Sequence, residues 1–124
     1  MAAAELDYVA FARPGGETAE AAANHPLDFA HLARQTFGDR ALEAEILSLF
    51  MQQVRSAGAR LRTASADERK MLAHGLKGSA RSIGAFELGD AAAALELAPG
   101  DGRIARRVCD RIDQVADLIA AINR

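Results

Sequence analysis

The stretch from Gly102 to Arg124, GRIARRVCDRIDQVADLIAAINR, decides the fold. Ile104, Val108, Ile112, Val115, Ile119 and Ile122 recur in steps of three and four, and mostly Arg, Asp, Gln and Ala stand between them. An α-helix turns about 100° per residue, so this spacing gathers the apolar side chains into one stripe and sends the charges to the other face. A strand would need alternation, which the segment lacks. A helix with such a stripe needs other helices to cover it.

Working outward, four more segments carry the same period. Pro99-Gly100-Asp101-Gly102 breaks the chain before the last helix, and a fourth segment precedes it with Leu88, Ala92 and Leu95 inward. A turn near Gly84 separates that segment from a third, whose apolar face is Leu72, Leu76, Ala80 and Ile83. Ser65 with Glu68 three residues on forms a capping box at its start. The second segment opens at Asp39 and is the longest, with Leu42, Ile46, Leu49, Phe50, Val54, Ala57 and Leu61 as its stripe. The first runs from Asp28 to Thr36, with Asp28 as N-cap, Leu27 and Leu32 as a hydrophobic staple, and Gly38 at its end. No strand and no internal repeat is read. Short connections favour antiparallel neighbours. The expectation is all-α: an up-and-down antiparallel four-helix bundle with a short additional N-terminal helix, spanning residues 26–124.

Residues 1–25 read differently. Leu6, Val9 and Phe11 lead into Arg13-Pro14-Gly15-Gly16, and an Ala/Glu stretch without large apolar residues follows. A flexible N-terminal tail is expected there, with a short helix over Glu17 to Ala23.

Composition narrows the function classes. At 124 residues, half of them apolar, the chain suits one domain with a real core. A formal charge of -2 points to neither nucleic acid nor a membrane surface. No run reaches the roughly 20 apolar residues that span a bilayer. Glu5 and Asp7 interrupt what would be a signal peptide, and the single Cys109 excludes an intramolecular disulfide. These readings predict a cytoplasmic protein. Three His are too few for a metal cage, so no metal site is expected.

The run Ala73-His74-Gly75-Leu76-Lys77-Gly78-Ser79-Ala80 carries the chemistry. His74 lies about 160° round the helix from Leu72 and Leu76, so it shares a solvent face with Lys77, Gly78 and Arg81. An exposed histidine alone means little. The glycines add weight, because each costs about 1 kcal/mol in a helix interior relative to Ala. Gly78 sits one turn after His74, where a side chain would crowd anything approaching the ring. Gly75 has no such account. Read this way, the face is a docking surface that needs steric access to His74.

Those residues, followed by Ile83-Gly84-Ala85, resemble the signature of histidine-containing phosphotransfer (HPt) domains. Leu27-Asp28, Gly38-Asp39 and Leu49-Phe50 upstream, and Leu88 and Leu95-Glu96 downstream, extend the resemblance over Pro26 to Arg124. Gly75 at a variable position and Ala92, where the family often has Cys, depart from it. The resemblance implies a monomeric phosphocarrier rather than an enzyme. His74 would take a phosphoryl group on Nε2 from a receiver-domain aspartate and pass it to another in a multistep phosphorelay. The implied partners are the receiver domains of a hybrid sensor histidine kinase and of a response regulator. No cofactor of its own is implied, since Mg²⁺ comes with the receiver.

Imidazole suits that role, because near neutral pH one ring nitrogen keeps a free lone pair. Lys77 would balance phosphoryl charge. Arg81, one turn further, either reaches the phosphate or an acidic partner, or is plain surface. Counting along the helices, His74 lies ten residues before Gly84 and Glu96 eleven after Ala85, about 15 Å of helix in each direction. Glu96 is thus a candidate to accept a hydrogen bond from Nδ1-H and fix the tautomer, with an exposed terminal-turn glutamate as the other reading.

Other signals are weak. Lys77-Gly78-Ser79 has the wrong order for a phosphate loop, His25 and His31 read as surface, and no serine has a base and acid around it. Two functions compete with the phosphocarrier. The dimerising histidine module of a sensor kinase usually has an acidic residue after its histidine, where Gly75 stands here, and is followed by an ATP-binding domain. An adaptor bundle would leave His74 inert.

Overall fold

A computed structural model describes residues 25–122. The expected tail and the helix over Glu17 to Ala23 fall outside the described residues, apart from His25. Among the described residues the chain is all helical: α1 (Phe29–Gln35), α2 (Arg40–Leu61), α3 (Ala66–Ile83), α4 (Phe86–Leu97) and α5 (Gly102–Ile122), with no strand. Packing runs from α2 to α3, α3 to α4, α4 to α5 and α5 back to α2, while α1 lies against α3.

The helix starts obey local chemistry. Asp28 Oδ1 accepts from the N–H of His31 at 3.0 Å, and Asp39 Oδ1 from that of Leu42 at 3.0 Å. Each satisfies a donor that the first helical turn leaves without a partner. Leu27 and Leu32 are both buried against the core. Ser65 Oγ accepts from the N–H of Glu68 at 3.2 Å, but the capping box is only half realised. The Glu68 carboxylate turns instead to Arg60 at 2.8 Å, tying the end of α2 to the start of α3.

The stripes differ in detail from those expected. In α2 the buried residues are Leu47, Phe50, Val54, Ala57 and Leu61, whereas Leu42 and Leu49 are exposed. Leu42 and Leu49 lie about 100° or more round the helix from that line, outside the strip α3 and α5 can cover. In α3, Ala73 is fully buried and Leu72 only partly. In α5, Ala105 is buried, Ile104 is half-covered and Ile122 is exposed. Alanine takes a large share of the described interior, at Ala57, Ala73, Ala80, Ala85, Ala91, Ala92 and Ala105. Large residues at the margins stay partly in water.

One tertiary lock sets the register between α3 and α4. Gly84 ends α3 in the left-handed region at φ 97°, and a side chain there would stand 2.8 Å from the Asp28 carbonyl oxygen. The N–H of Asp28 donates to the Gly84 carbonyl at 2.9 Å. His31 Nε2–H donates to the Ser82 carbonyl at 2.9 Å, and its ring meets Phe86 edge-on, centroids 5.1 Å apart. His31 is therefore a half-buried clamp rather than the surface residue expected, because α1 folds back over the turn between α3 and α4.

Candidate functional site

α3 carries His74 on the side away from Leu76 and Ala80, and its side chain is 71% exposed. The fold turns at Gly84 and returns along α4, which brings Glu96 alongside. His74 Nδ1 lies 2.8 Å from Glu96 Oε2. Lys77, one turn further along α3, donates from Nζ to the other carboxylate oxygen, Oε1, at 2.6 Å. One carboxylate thus joins His74 and Lys77, neighbours on one side of the helix.

Electrostatics assign the proton. The Lys77 hydrogen bond first, and the His74 contact second, hold the Glu96 carboxyl below the ordinary glutamate value of 4.5. At neutral pH Glu96 is a carboxylate, which can only accept. Nδ1 therefore carries the hydrogen, and in the neutral ring Nε2 keeps its lone pair. With most of the ring in water, that lone pair faces outward.

The glycines leave this face open. A side-chain carbon placed at Gly75 or Gly78 would meet no atom within 4 Å, so packing demands a glycine at neither position. Two large apolar residues of these two helices are exposed: Met71, one turn before His74 and 76% exposed, and Leu97, next in sequence to Glu96 and 88% exposed. Helical periodicity singles out neither, because both lie off the apolar stripes. Even so, Met71 at three residues before His74 shares its side of the helix, and that spacing could have found it.

Arg81 is not brought to this cluster. It donates to Asp90 Oδ1 at 3.3 Å, and its Cγ would stand 2.8 Å from a side-chain carbon at Gly89. Its aliphatic stem lies over Gly89, and its guanidinium is held against α4 about two turns from His74. Counting back from the Gly84 turn would have reached Asp90 as it reached Glu96. The remaining reactive side chain, Cys109, sits on α5 away from these residues, with burial pushing its thiol up, so it is a poor nucleophile. No group of His, Cys, Asp and Glu suited to a metal ion occurs among the described residues, and none of the described helices is long and apolar enough to cross a membrane.

A family model, the Hpt domain, matches residues 45–124. The chain belongs to the Hpt domain family. Neither the curated proteins nor the solved structures give a match. Hpt domains are phosphocarrier modules rather than catalysts, and they serve histidine phosphotransfer by interacting with receiver domains in phosphorelays. The match begins inside α2, so α1 and its clamp on the Gly84 turn lie before the matched Hpt segment.

Proposed function

We propose that this chain is a monomeric, cytoplasmic phosphocarrier of a multistep phosphorelay, with His74 as its phosphoacceptor. One observation carries the reading: of the three histidines, His25 and His31 precede the matched span, and His74 alone falls within it. Its exposure and the proton held on Nδ1 by Glu96 support the same residue. The lone pair of Nε2 attacks the phosphorus of an aspartyl phosphate in one receiver domain. The N–P bond forms, the acyl P–O bond breaks, and the aspartate leaves as a carboxylate. The ring keeps its Nδ1 proton and becomes positively charged against Glu96. Reversal onto a second receiver completes the relay.

The partners in this reading are the receiver domains of a hybrid sensor histidine kinase and of a response regulator. Those receivers bring the acidic pocket and the Mg²⁺, and the chain needs no cofactor of its own. Lys77 lends positive charge beside the ring, and Gly78 gives the receiver room. The ring of helix contacts and the short connections support an up-and-down antiparallel bundle over the described part of residues 26–124.

Incubation with a phosphorylated receiver domain tests the reading. The wild type should acquire acid-labile, base-stable phosphate, and His74→Gln should acquire none while keeping its helicity. Equal labelling of that variant would remove His74 from the reaction.

A further inference from the structure

The Glu96 carboxylate poses a problem of charge. A carboxylate hydrogen-bonded to an imidazole favours the protonated ring. That ring carries hydrogen on both nitrogens and has no lone pair with which to attack phosphorus. Glu96 alone would orient His74 while also favouring the ring form that cannot attack.

The answer lies on the other oxygen. Lys77 Nζ stands 2.6 Å from Oε1, and both side chains are largely shielded, at 28% and 20% exposure. We propose that Lys77 acts on His74 through Glu96: its ammonium offsets the carboxylate, so the free oxygen orients the imidazole without charging it. This makes Lys77 a positioning residue, and the inference rests on His74 as phosphoacceptor. A neutral amide could also orient the ring, but a charge-assisted pair holds the acceptor more firmly. It also leaves negative charge at Nδ1 when attack makes the ring positive.

None of the other ionisable groups described around α3 is hydrogen-bonded to Glu96 or to the His74 ring. On α3 itself, Lys70 stands one turn before His74 and Arg81 is paired with Asp90 of α4. Glu87 of α4 lies towards Arg107 and Arg111 of α5. From α2, Arg60 is paired with Glu68, and from α1, His31 is held on the Ser82 carbonyl. Among the described residues, only Glu96 hydrogen-bonds the His74 ring.

The test is a pH titration of the His74 ring by ¹H–¹⁵N NMR in the full chain. Wild type, Lys77→Met, Glu96→Gln and the double variant are compared, methionine being chosen to keep the stem of Lys77. Lys77→Met should raise the protonation midpoint of His74 by about half to one pH unit. Adding Glu96→Gln should bring it back down, so the two changes are not additive. With potassium phosphoramidate as the phosphodonor, Lys77→Met should react more slowly at neutral pH and recover as the pH rises past the new midpoint. An unchanged midpoint or an additive cycle would overturn the proposal. So would a rate loss independent of pH, which would put Lys77 directly on the phosphoryl group. Phosphate found on a residue other than His74 would instead defeat the phosphoacceptor reading, leaving the titration result standing.

Discussion

The N–H of Asp28 reaches the carbonyl of Gly84 at 2.9 Å, and through that bond the first short helix fixes the turn on which the whole site depends. His74 lies ten residues before this turn and Glu96 twelve after it. Any change in how α4 leaves the turn moves the carboxylate relative to the ring.

Gly84→Ala should therefore act at a distance. The residue sits at φ 97°, and its new Cβ would stand 2.8 Å from the Asp28 carbonyl oxygen. A non-glycine residue held in this region costs about 1–3 kcal/mol. The expected outcome is a lower urea midpoint together with slower phosphoryl acceptance, since the Nδ1 to Glu96 contact is disturbed from one helix end away. A variant of wild-type stability would show that the turn can relax.

Two leucines of α2 test the line of the core. Leu47 is 4% exposed and Leu49 is 60% exposed, although the stripe expected from the sequence included Leu49 and left out Leu47. Leu47→Ala should cost about 2–5 kcal/mol of stability through lost burial and a cavity. Leu49→Ala should stay within about 0.5 kcal/mol. Chemical denaturation of the two variants measures both values, and similar losses would shift the buried line round α2.

Gly78→Leu separates access from folding. No atom lies within 4 Å of a side chain begun at Gly78, so the substitution fits the free chain. Replacing glycine inside a helix should raise stability by roughly 0.5–1 kcal/mol. Phosphoryl transfer from a receiver should nevertheless slow by roughly ten- to a hundredfold, because the new side chain holds the donor off the ring. Transfer at the wild-type rate would make Gly78 irrelevant to docking.

Helix number, caps and breaks were legible in the sequence because they rest on local chemistry: Asp28, Asp39 and Ser65 each accept from their own first turn. The level of Glu96 was legible too, since helix rise converts residue counts into height. Leu47 was legible but passed over: it lies about 50° from the line of Phe50, Val54, Ala57 and Leu61, whereas Leu49 lies about 110° from it. What escaped otherwise was tertiary. His31 became a clamp only because α1 folds over the Gly84 turn. Counting from the turn gave Glu96 one partner, but the height of Lys77 is less than one turn from that of His74. The second oxygen of a carboxylate is invisible to a count of residues, and it proves to hold Lys77.

Glu96→Gln carries a signed pH dependence. The carboxyl of Glu96 is held below its ordinary value of 4.5, first by Lys77 and then by His74. A group depressed in the folded state stabilises that state above its unfolded value, and the contribution fades as pH falls through the folded value. The wild type should therefore exceed Glu96→Gln in stability at neutral pH. The gap should begin to close below about pH 4.5 and vanish once the folded carboxyl is protonated. Urea denaturation of both proteins from neutral to strongly acid pH measures the gap. A gap that stayed constant through the acid range would mean that the glutamate contributes by shape and hydrogen bonding alone, with no share from its charge.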